Sequence, residues 1–259
     1  MKKHHPLLIL HRAKLDQLTP DVLRRTDGIE LDLRMTHDGI VIVRHDRRIR
    51  TVDGRYGWID KLTLNELLAT NGEEPVKFEA MLSAISKQFK ANGHKLLLEL
   101  DLKQSGMEKE IAQLIKKYRI SNVAVSSVDV VILKAFQDQI PDVQLGLTYD
   151  LIKDRWDIWM NKAFIFVMIP VYFTLKPFFF RLIRRKTFTG DVHLFRWFQP
   201  RRMAGDIDFA NLYYRVVNED IVKFLHDMGL KVFVYGAESE DKIRRLISLR
   251  VDGIKIKNL

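Results

Sequence analysis

The sequence predicts an α/β protein built as a (β/α)₈ TIM barrel. Short apolar runs recur along the chain, and segments with helical periodicity separate many of them. The chain of 259 residues has room for about eight such strand–helix units. We therefore expect residues 1–259 to form a single domain, in which helices surround a closed parallel sheet.

Nine apolar runs are candidate strands, one more than the barrel needs, so we expect one of them to be misassigned or to lie outside it. They cover residues 7–10, 28–33, 40–44, 95–102, 123–127, 143–148, 209–214, 231–235 and 251–256. Only six residues, RMTHDG, lie between the second and third runs, and the turn THDG among them leaves no space for a helix. The barrel is therefore expected to be irregular near strands 2 and 3.

Six intervening segments repeat apolar residues with the spacing of an amphipathic helix. They cover residues 64–69, 78–90, 108–118, 129–137, 218–229 and 239–249. The sequence contains no cysteine, which excludes disulfides, thiolate nucleophiles and cysteine-based zinc sites. The N-terminal basic residues precede an apolar run too short for a signal peptide, so we expect a cytoplasmic protein without one.

The net charge of +10 is concentrated in a hydrophobic, basic insertion at residues 151–205, which contains eleven Lys and Arg against three Asp. Its stretch 163–183 is long enough to cross a bilayer, but one crossing would separate the two parts of the barrel. We expect instead a hairpin or interfacial helix pair on the inner face of an anionic membrane. The predicted membrane-contacting residues are Trp156, Trp159, Phe164, Phe178, Phe179, Arg184 and Arg185.

The composition of the insertion also allows two other interpretations. It could pack on the barrel or against a second subunit. The motif FRWFQPRR alternates aromatic and basic residues as in a single-strand nucleic-acid binder. A long uncharged apolar run has no role on a nucleic acid, so we expect no nucleic-acid partner.

Polar residues cluster where the first strands end, which is where TIM barrels carry their chemistry. Glu30 and Asp32 share one strand face, and Glu99, Asp101 and Lys103 share another. His11-Arg12 and His45-Asp46 end two further runs. Carboxylates on one buried face repel each other unless a positive charge lies between them. The pattern indicates a metal site, although an exposed edge strand with acidic side chains would also place two carboxylates on one face.

These motifs resemble the glycerophosphodiester phosphodiesterase family, which consists of TIM-barrel phosphodiesterases. IELDLRMTHDGIVIVRHD matches the family pattern E-x-D, T-x-D-G and V-x-H-D, and LLLELDLK matches its E-x-K strand. His11-Arg12 occupies the position of the family's HRG. The chain departs from the family at Ala13, at Asp101 in place of Glu, at VYGA in place of WTVN, and at its final residues KIKNL.

The resemblance implies a role for each matching residue. Glu30, Asp32 and Asp101 would bind one divalent cation, Ca²⁺ or Mg²⁺, with Glu99 as a possible substitute for Asp101. His11 and His45 would be the catalytic acid–base pair. Arg12 and Lys103 would bind the phosphate. Tyr235, in the aromatic position of the closing strand VYGA, would form a wall of the substrate pocket.

The expected function is metal-dependent hydrolysis of glycerophosphodiesters, either head-group diesters or lysophospholipids, to a glycerol phosphate-type product and an alcohol. Such an enzyme would act in lipid metabolism as a peripheral membrane protein. The alternative is a catalytically silent barrel that binds lipid or a protein partner through the insertion. The intact cluster of His11, Glu30, Asp32, His45 and Lys103 favours the enzyme.

Overall fold

The computed structural model describes residues 5–50, 54–70, 75–92, 96–149 and 207–257. The predicted insertion at 151–205, with all of its proposed membrane-contacting residues, lies outside these ranges. None of the helices in the described ranges combines the length and the apolar character needed to cross a membrane.

Eight parallel strands close into a barrel, which confirms the predicted fold class. In spatial order, each strand pairs with the next and the last pairs with the first. They are β1 (Leu7–Leu10), β2 (Gly28–Met35), β7 (Leu97–Leu102), β8 (Val123–Ser127), β9 (Gln144–Thr148), β10 (Phe209–Tyr213), β11 (Lys231–Tyr235) and β12 (Gly253–Ile256).

The predicted irregularity near strand 2 is an antiparallel extension of the barrel. Strand β2 continues past the ring and pairs with β3 (Val41–Val43), which pairs in turn with β6 (Val76–Lys77). The run at 40–44 is therefore the surplus strand that lies outside the barrel. Between β3 and β6 the chain forms a small hairpin of β4 (Arg48–Arg50) and β5 (Tyr56–Trp58). The sequence pattern did not predict this hairpin.

The six predicted helices are all present in the described ranges, together with one short helix that was not predicted, α1 (Pro20–Arg24). The predicted ones are α2 (Leu64–Leu68), α3 (Phe78–Asn92), α4 (Glu108–Tyr118), α5 (Val130–Gln137), α6 (Glu219–Asp227) and α7 (Glu240–Ser248). Side-chain caps fix several of their first turns: Thr63 and Glu66 form a capping box on α2, and Asn218 caps α6. The apolar faces of the other helices pack on the outside of the barrel in the main core, whereas Leu64 and Leu67 of α2 pack in a separate cluster with Ile42, Ile49 and Ile59.

The barrel interior is layered because strand side chains alternate between the inside and the helix-facing outside. A separate apolar cluster fills the lower interior. Its members are Ile9, Leu97, Ala124, Phe209 and Phe233. Two residues further along each strand, on the same face, the inward positions become polar or charged, for example Glu99 after Leu97 and Asn211 after Phe209. The apolar plug therefore forms the base on which the polar site is built.

Gly146 makes room for this plug. Its strand β9 pairs with β10 so that Gly146 lies opposite Phe209. A Cβ atom built at Gly146 would lie 2.1 Å from Cε2 of the Phe209 ring, and that ring packs against Phe233 with 4.8 Å between centroids. The position tolerates only glycine unless the aromatic pair moves.

We predict that Gly146→Ala lowers the free energy of unfolding by about 1–3 kcal/mol, because the added methyl overpacks the plug. Urea denaturation followed by circular dichroism measures the loss. The same substitution in a Phe209→Leu background should cost less, since the smaller side chain leaves space for the methyl. An equal cost in both backgrounds would show that contact with Phe209 is not the cause.

Candidate active site

The predicted site residues come together at the carboxyl-terminal end of the barrel, around one cavity of about 470 Å³. His11 directly follows β1 and His45 follows β3. The pairing of β2 with β7 sets Asp32 opposite Asp101. Eight of the nine predicted residues line this cavity: His11, Arg12, Glu30, Asp32, His45, Asp101, Lys103 and Tyr235.

Glu30, Asp32 and Asp101 form a compact acidic cluster. Each offers one carboxylate oxygen, and these oxygens all lie within 4.8 Å of one another. The three side chains are buried, with at most 5% of each residue exposed. Three carboxylates this close repel strongly and lose hydration, so the cluster needs compensating positive charge.

Two cationic residues supply part of that charge. The Lys103 ammonium lies 2.9 Å from Asp32 Oδ1 and 2.6 Å from Asp101 Oδ2. Nε of Arg12 lies 3.2 Å from Asp32 Oδ2, and the Arg12 backbone N–H donates to Glu30 Oε2 at 2.8 Å. Arg12 has a φ of 55°, a left-handed conformation that costs a non-glycine residue about 1 kcal/mol or more. The hydrogen bond to Glu30 helps to hold that conformation.

The compensation is uneven, as the pKa directions reveal. Burial, followed by the charge of Asp32, raises the pKa of Glu30 well above its usual value. Burial also raises the pKa of Asp101 in spite of the attraction of Lys103. For Asp32, burial is outweighed by Lys103, His45 and Arg12, so its pKa is lowered. Glu30 and Asp101 therefore lack sufficient positive charge around them.

Two carboxylate oxygens of the cluster show where additional positive charge fits. Within the described part of the chain, Asp32 Oδ2 and Asp101 Oδ1 are buried and accept no hydrogen bond, although Nε of Arg12 lies 3.2 Å from Asp32 Oδ2. Such atoms are uncommon in folded proteins unless an ion or a water satisfies them. An all-carboxylate set of this kind suits a hard divalent cation, Ca²⁺ or Mg²⁺, and the residues present fit that ion.

Glu99 does not join the acidic cluster, although the strand pairing places it directly opposite Glu30. Its Oε1 instead lies 2.7 Å from Nζ of Lys255 and accepts hydrogen bonds from the Asn211 amide and the Ser126 hydroxyl. This network runs across the barrel from β7 to β8, β10 and β12. Of the two candidates for the third carboxylate, Asp101 is the one that lies beside Glu30 and Asp32.

The two histidines border the cluster in different environments. The His11 side chain is 10% exposed, and its Nε2 lies 3.7 Å from Glu30 Oε2. Burial, followed by the positive charges of Lys255 and Arg12, lowers the pKa of His11 to about 3. His45 is more open, and its Nδ1 lies 2.8 Å from Asp46 Oδ1. Arg34 donates from Nε to the His45 carbonyl at 2.8 Å, which fixes the backbone beneath the ring.

Aromatic residues form one wall of the cavity. The Tyr235 hydroxyl donates to the Tyr149 carbonyl at 2.8 Å, and its ring centroid lies 6.2 Å from that of His11. Tyr213, with its ring 5.6 Å from Tyr235, continues this wall. Tyr213 ends strand β10, so the strand-end criterion used for the first four strands could have found it.

Sequence reasoning missed several further residues of the cavity. The structure adds Val128, Thr148, Arg215 and Lys255 to the lining. Lys255 carried no signal, because a lysine in the last strand is ordinarily taken for a solvated side chain.

Because His11 is buried and neutral in the folded protein, we expect it to change how the stability of the ion-free protein depends on pH. The unfolded chain binds a proton at His11 below about pH 6.5 that the folded chain does not bind, so acid favours unfolding. Between pH 6.5 and 4, the unmodified protein should lose about 1.4 kcal/mol per pH unit more stability than His11→Gln. Urea denaturation at several pH values with a chelator present measures this. Parallel pH profiles for the two proteins would contradict it.

Comparison with known proteins agrees with this fold. The Caldanaerobacter subterraneus glycerophosphodiester phosphodiesterase is 23% identical over 242 residues, covering 88% of this chain and 81% of the relative. An Oleispira antarctica phosphodiesterase, solved in complex with the product sn-glycerol-3-phosphate, has a TM-score of 0.65 at 18% identity and covers 97% of this chain and 93% of its own. The Thermotoga maritima glycerophosphodiester phosphodiesterase has a TM-score of 0.65 at 16% identity, with 98% and 95% covered.

A sequence model of the glycerophosphoryl diester phosphodiesterase family matches residues 23–257, which includes β2 through β12 and most of the acidic and basic residues around the cavity. The match extends over far more than half of the chain. The chain therefore belongs to the glycerophosphoryl diester phosphodiesterase family, a family of phosphoric diester hydrolases.

Proposed function

We propose that this protein hydrolyses glycerophosphodiesters in a metal-dependent reaction, giving a glycerol phosphate-type product and an alcohol. The observation that carries the proposal is the buried cluster of Glu30, Asp32 and Asp101, two of whose oxygens accept no hydrogen bond, in a cavity that also holds two imidazoles. The product found in the Oleispira relative, sn-glycerol-3-phosphate, supports the choice of substrate class.

The three carboxylates would hold one Ca²⁺ or Mg²⁺, which when bound polarises phosphoryl oxygens and offsets the carboxylate charge. Arg12 and Lys103 bind the non-bridging phosphate oxygens, because both are cations that line the cavity. Lys103 is only partly exposed, so its charge is weakly screened by solvent. These contacts orient the diester with its phosphorus close to the histidines.

His11 and His45 carry out the proton transfers. One imidazole accepts the proton of a glycerol hydroxyl of the substrate as that hydroxyl attacks phosphorus, and the other donates a proton to the departing alkoxide oxygen, which leaves a cyclic phosphate. Water then opens the cyclic phosphate with the two imidazoles in the reverse roles, giving the glycerol phosphate. Burial and the positive charges of Lys255 and Arg12 lower the pKa of His11 to about 3, so this ring is neutral before the substrate binds. The contact of His45 Nδ1 with Asp46 orients the second ring and leaves Nε2 for exchange with the substrate.

The basic insertion brings this site to a membrane in our proposal. The chain enters the insertion just after Tyr149, whose carbonyl accepts a hydrogen bond from the hydroxyl of Tyr235 on the cavity wall. Residues 151–205 thus follow directly from the part of the barrel that borders the cavity. An anionic membrane surface would complement their positive charge, and lysophospholipids lying in that surface are candidate substrates.

Activity assays test the catalytic proposal. We expect turnover of glycerophosphocholine or a lysophospholipid with added Ca²⁺ or Mg²⁺, and loss of turnover with chelator. His11→Ala and His45→Ala should each lower kcat by about 10²- to 10⁴-fold, since each removes a proton-transfer group. His37→Ala, which changes an exposed histidine outside the cavity, is the matched control. If no glycerophosphodiester is turned over with either metal, a silent barrel that binds lipid or protein becomes the better explanation.

Co-sedimentation with vesicles tests the membrane proposal. We expect binding to vesicles rich in phosphatidylserine that weakens in high salt. Arg184→Gln with Arg185→Gln should weaken binding roughly 30-fold, at about 1 kcal/mol for each basic residue near the surface. Lys223→Gln with Arg244→Gln changes two exposed basic residues on α6 and α7 and serves as the control. Equal effects of the two pairs, or protein that stays in the supernatant, would refute the role of the insertion.

A further inference from the structure

A buried ion pair lies below the acidic cluster and has no part in the proton transfers. Lys255 is 3% exposed and Glu99 is fully buried, and their charged atoms are 2.7 Å apart. Burying two charges carries a large desolvation cost, which such a pair only partly regains through its mutual attraction. The position of the pair in the layered interior suggests what it contributes.

Glu99 lies next to the acidic cluster but is not one of its members. Across the β2–β7 pairing it lies directly opposite Glu30, one layer below the pairing of Asp32 with Asp101. Four carboxylates on two adjacent strands could therefore face a single ion. Only three of them converge, because Lys255, Asn211 and Ser126 hold Glu99 from the other side of the barrel.

The two members of the pair are placed differently relative to the cavity. Lys255 belongs to the cavity lining, whereas Glu99 does not. The positive end of the pair therefore faces the site, and the charge of Lys255 acts on Glu30, Asp101 and His11. A fixed cation at this place favours ionised carboxylates in the empty site and opposes a second cation bound nearby.

We propose that Lys255 determines which carboxylates bind the divalent ion and how tightly the ion binds. It holds Glu99 away from the site, and it places a fixed positive charge on the cavity floor. The inference rests on the proposed metal site. It makes Lys255 a positioning residue, since it acts through Glu99 and the acidic cluster. It also explains how one chain can carry both candidate third carboxylates, Glu99 and Asp101, and use one of them.

Three variants and the unmodified protein form a double-mutant cycle that tests the proposal. They are Lys255→Met, Glu99→Gln and the two combined, which keep the side-chain volumes nearly constant. Isothermal titration calorimetry with Ca²⁺ alone and with Mg²⁺ alone, on chelator-treated and dialysed protein, measures the ion affinity without any need for turnover. Circular dichroism establishes that each variant is folded.

Lys255→Met should bind the ion roughly 100-fold more tightly, because a carboxylate is released and an opposing charge is removed, and the first of these effects is absent from the combined variant. Glu99→Gln should bind roughly tenfold or more weakly, because Lys255 then lacks its counter-charge. The combined variant should lie within about threefold of the unmodified protein. If Lys255→Met does not fold, the combined variant should still bind the ion about tenfold or more tightly than Glu99→Gln.

Ion affinities within threefold of each other in all folded proteins would overturn the inference and leave the pair a purely structural role. Absence of Ca²⁺ and Mg²⁺ binding by the unmodified protein would overturn the metal site itself, and this inference with it. An unmodified protein that binds the ion but turns over no diester would refute the catalytic proposal and leave the ion-affinity cycle intact as a test.

Discussion

The repulsion among buried carboxylates governs the arrangement of the carboxyl-terminal end of this barrel. Glu30, Asp32 and Asp101 each lose the hydration of an ionised group, and strand pairing forces their oxygens close together. Lys103 and Arg12 offset part of the repulsion, yet two buried oxygens of the cluster, Asp32 Oδ2 and Asp101 Oδ1, accept no hydrogen bond. A site of this kind is stable only at some cost to the fold, and that cost is evidence for a function that requires the clustered charge.

The rest of the barrel supplies the stability that offsets the unfavourable free energy of these buried charges. The plug around Phe209 and Phe233 and the outer core under the helices supply apolar burial away from the site. The polar layer between the plug and the acidic cluster uses neutral donors from Asn211 and Ser126 together with Lys255. Polarity thus increases in steps from the closed end of the barrel to the end that carries the cavity.

Much of this organisation could be predicted from the sequence, because it depends on local periodicity. Alternation within a strand puts Glu30 with Asp32 and Asp101 with Lys103, and apolar runs marked all eight barrel strands. The two short strands of the Arg48–Trp58 hairpin escaped prediction because they contain few apolar residues. The partners of Glu99 escaped it for a different reason. Lys255 meets Glu99 only after β12 closes the ring beside β1, 156 residues along the chain.

The plug at the base of the barrel also affects how molecules reach and leave the site. Phe209, Phe233 and their neighbours fill the lower interior, and Gly146 allows the rings to pack tightly there. Within the described residues the plug therefore closes the lower end of the barrel, and the cavity lies at its carboxyl-terminal end. In the proposed reaction the diester would enter, and both products would leave, on that same side of the barrel.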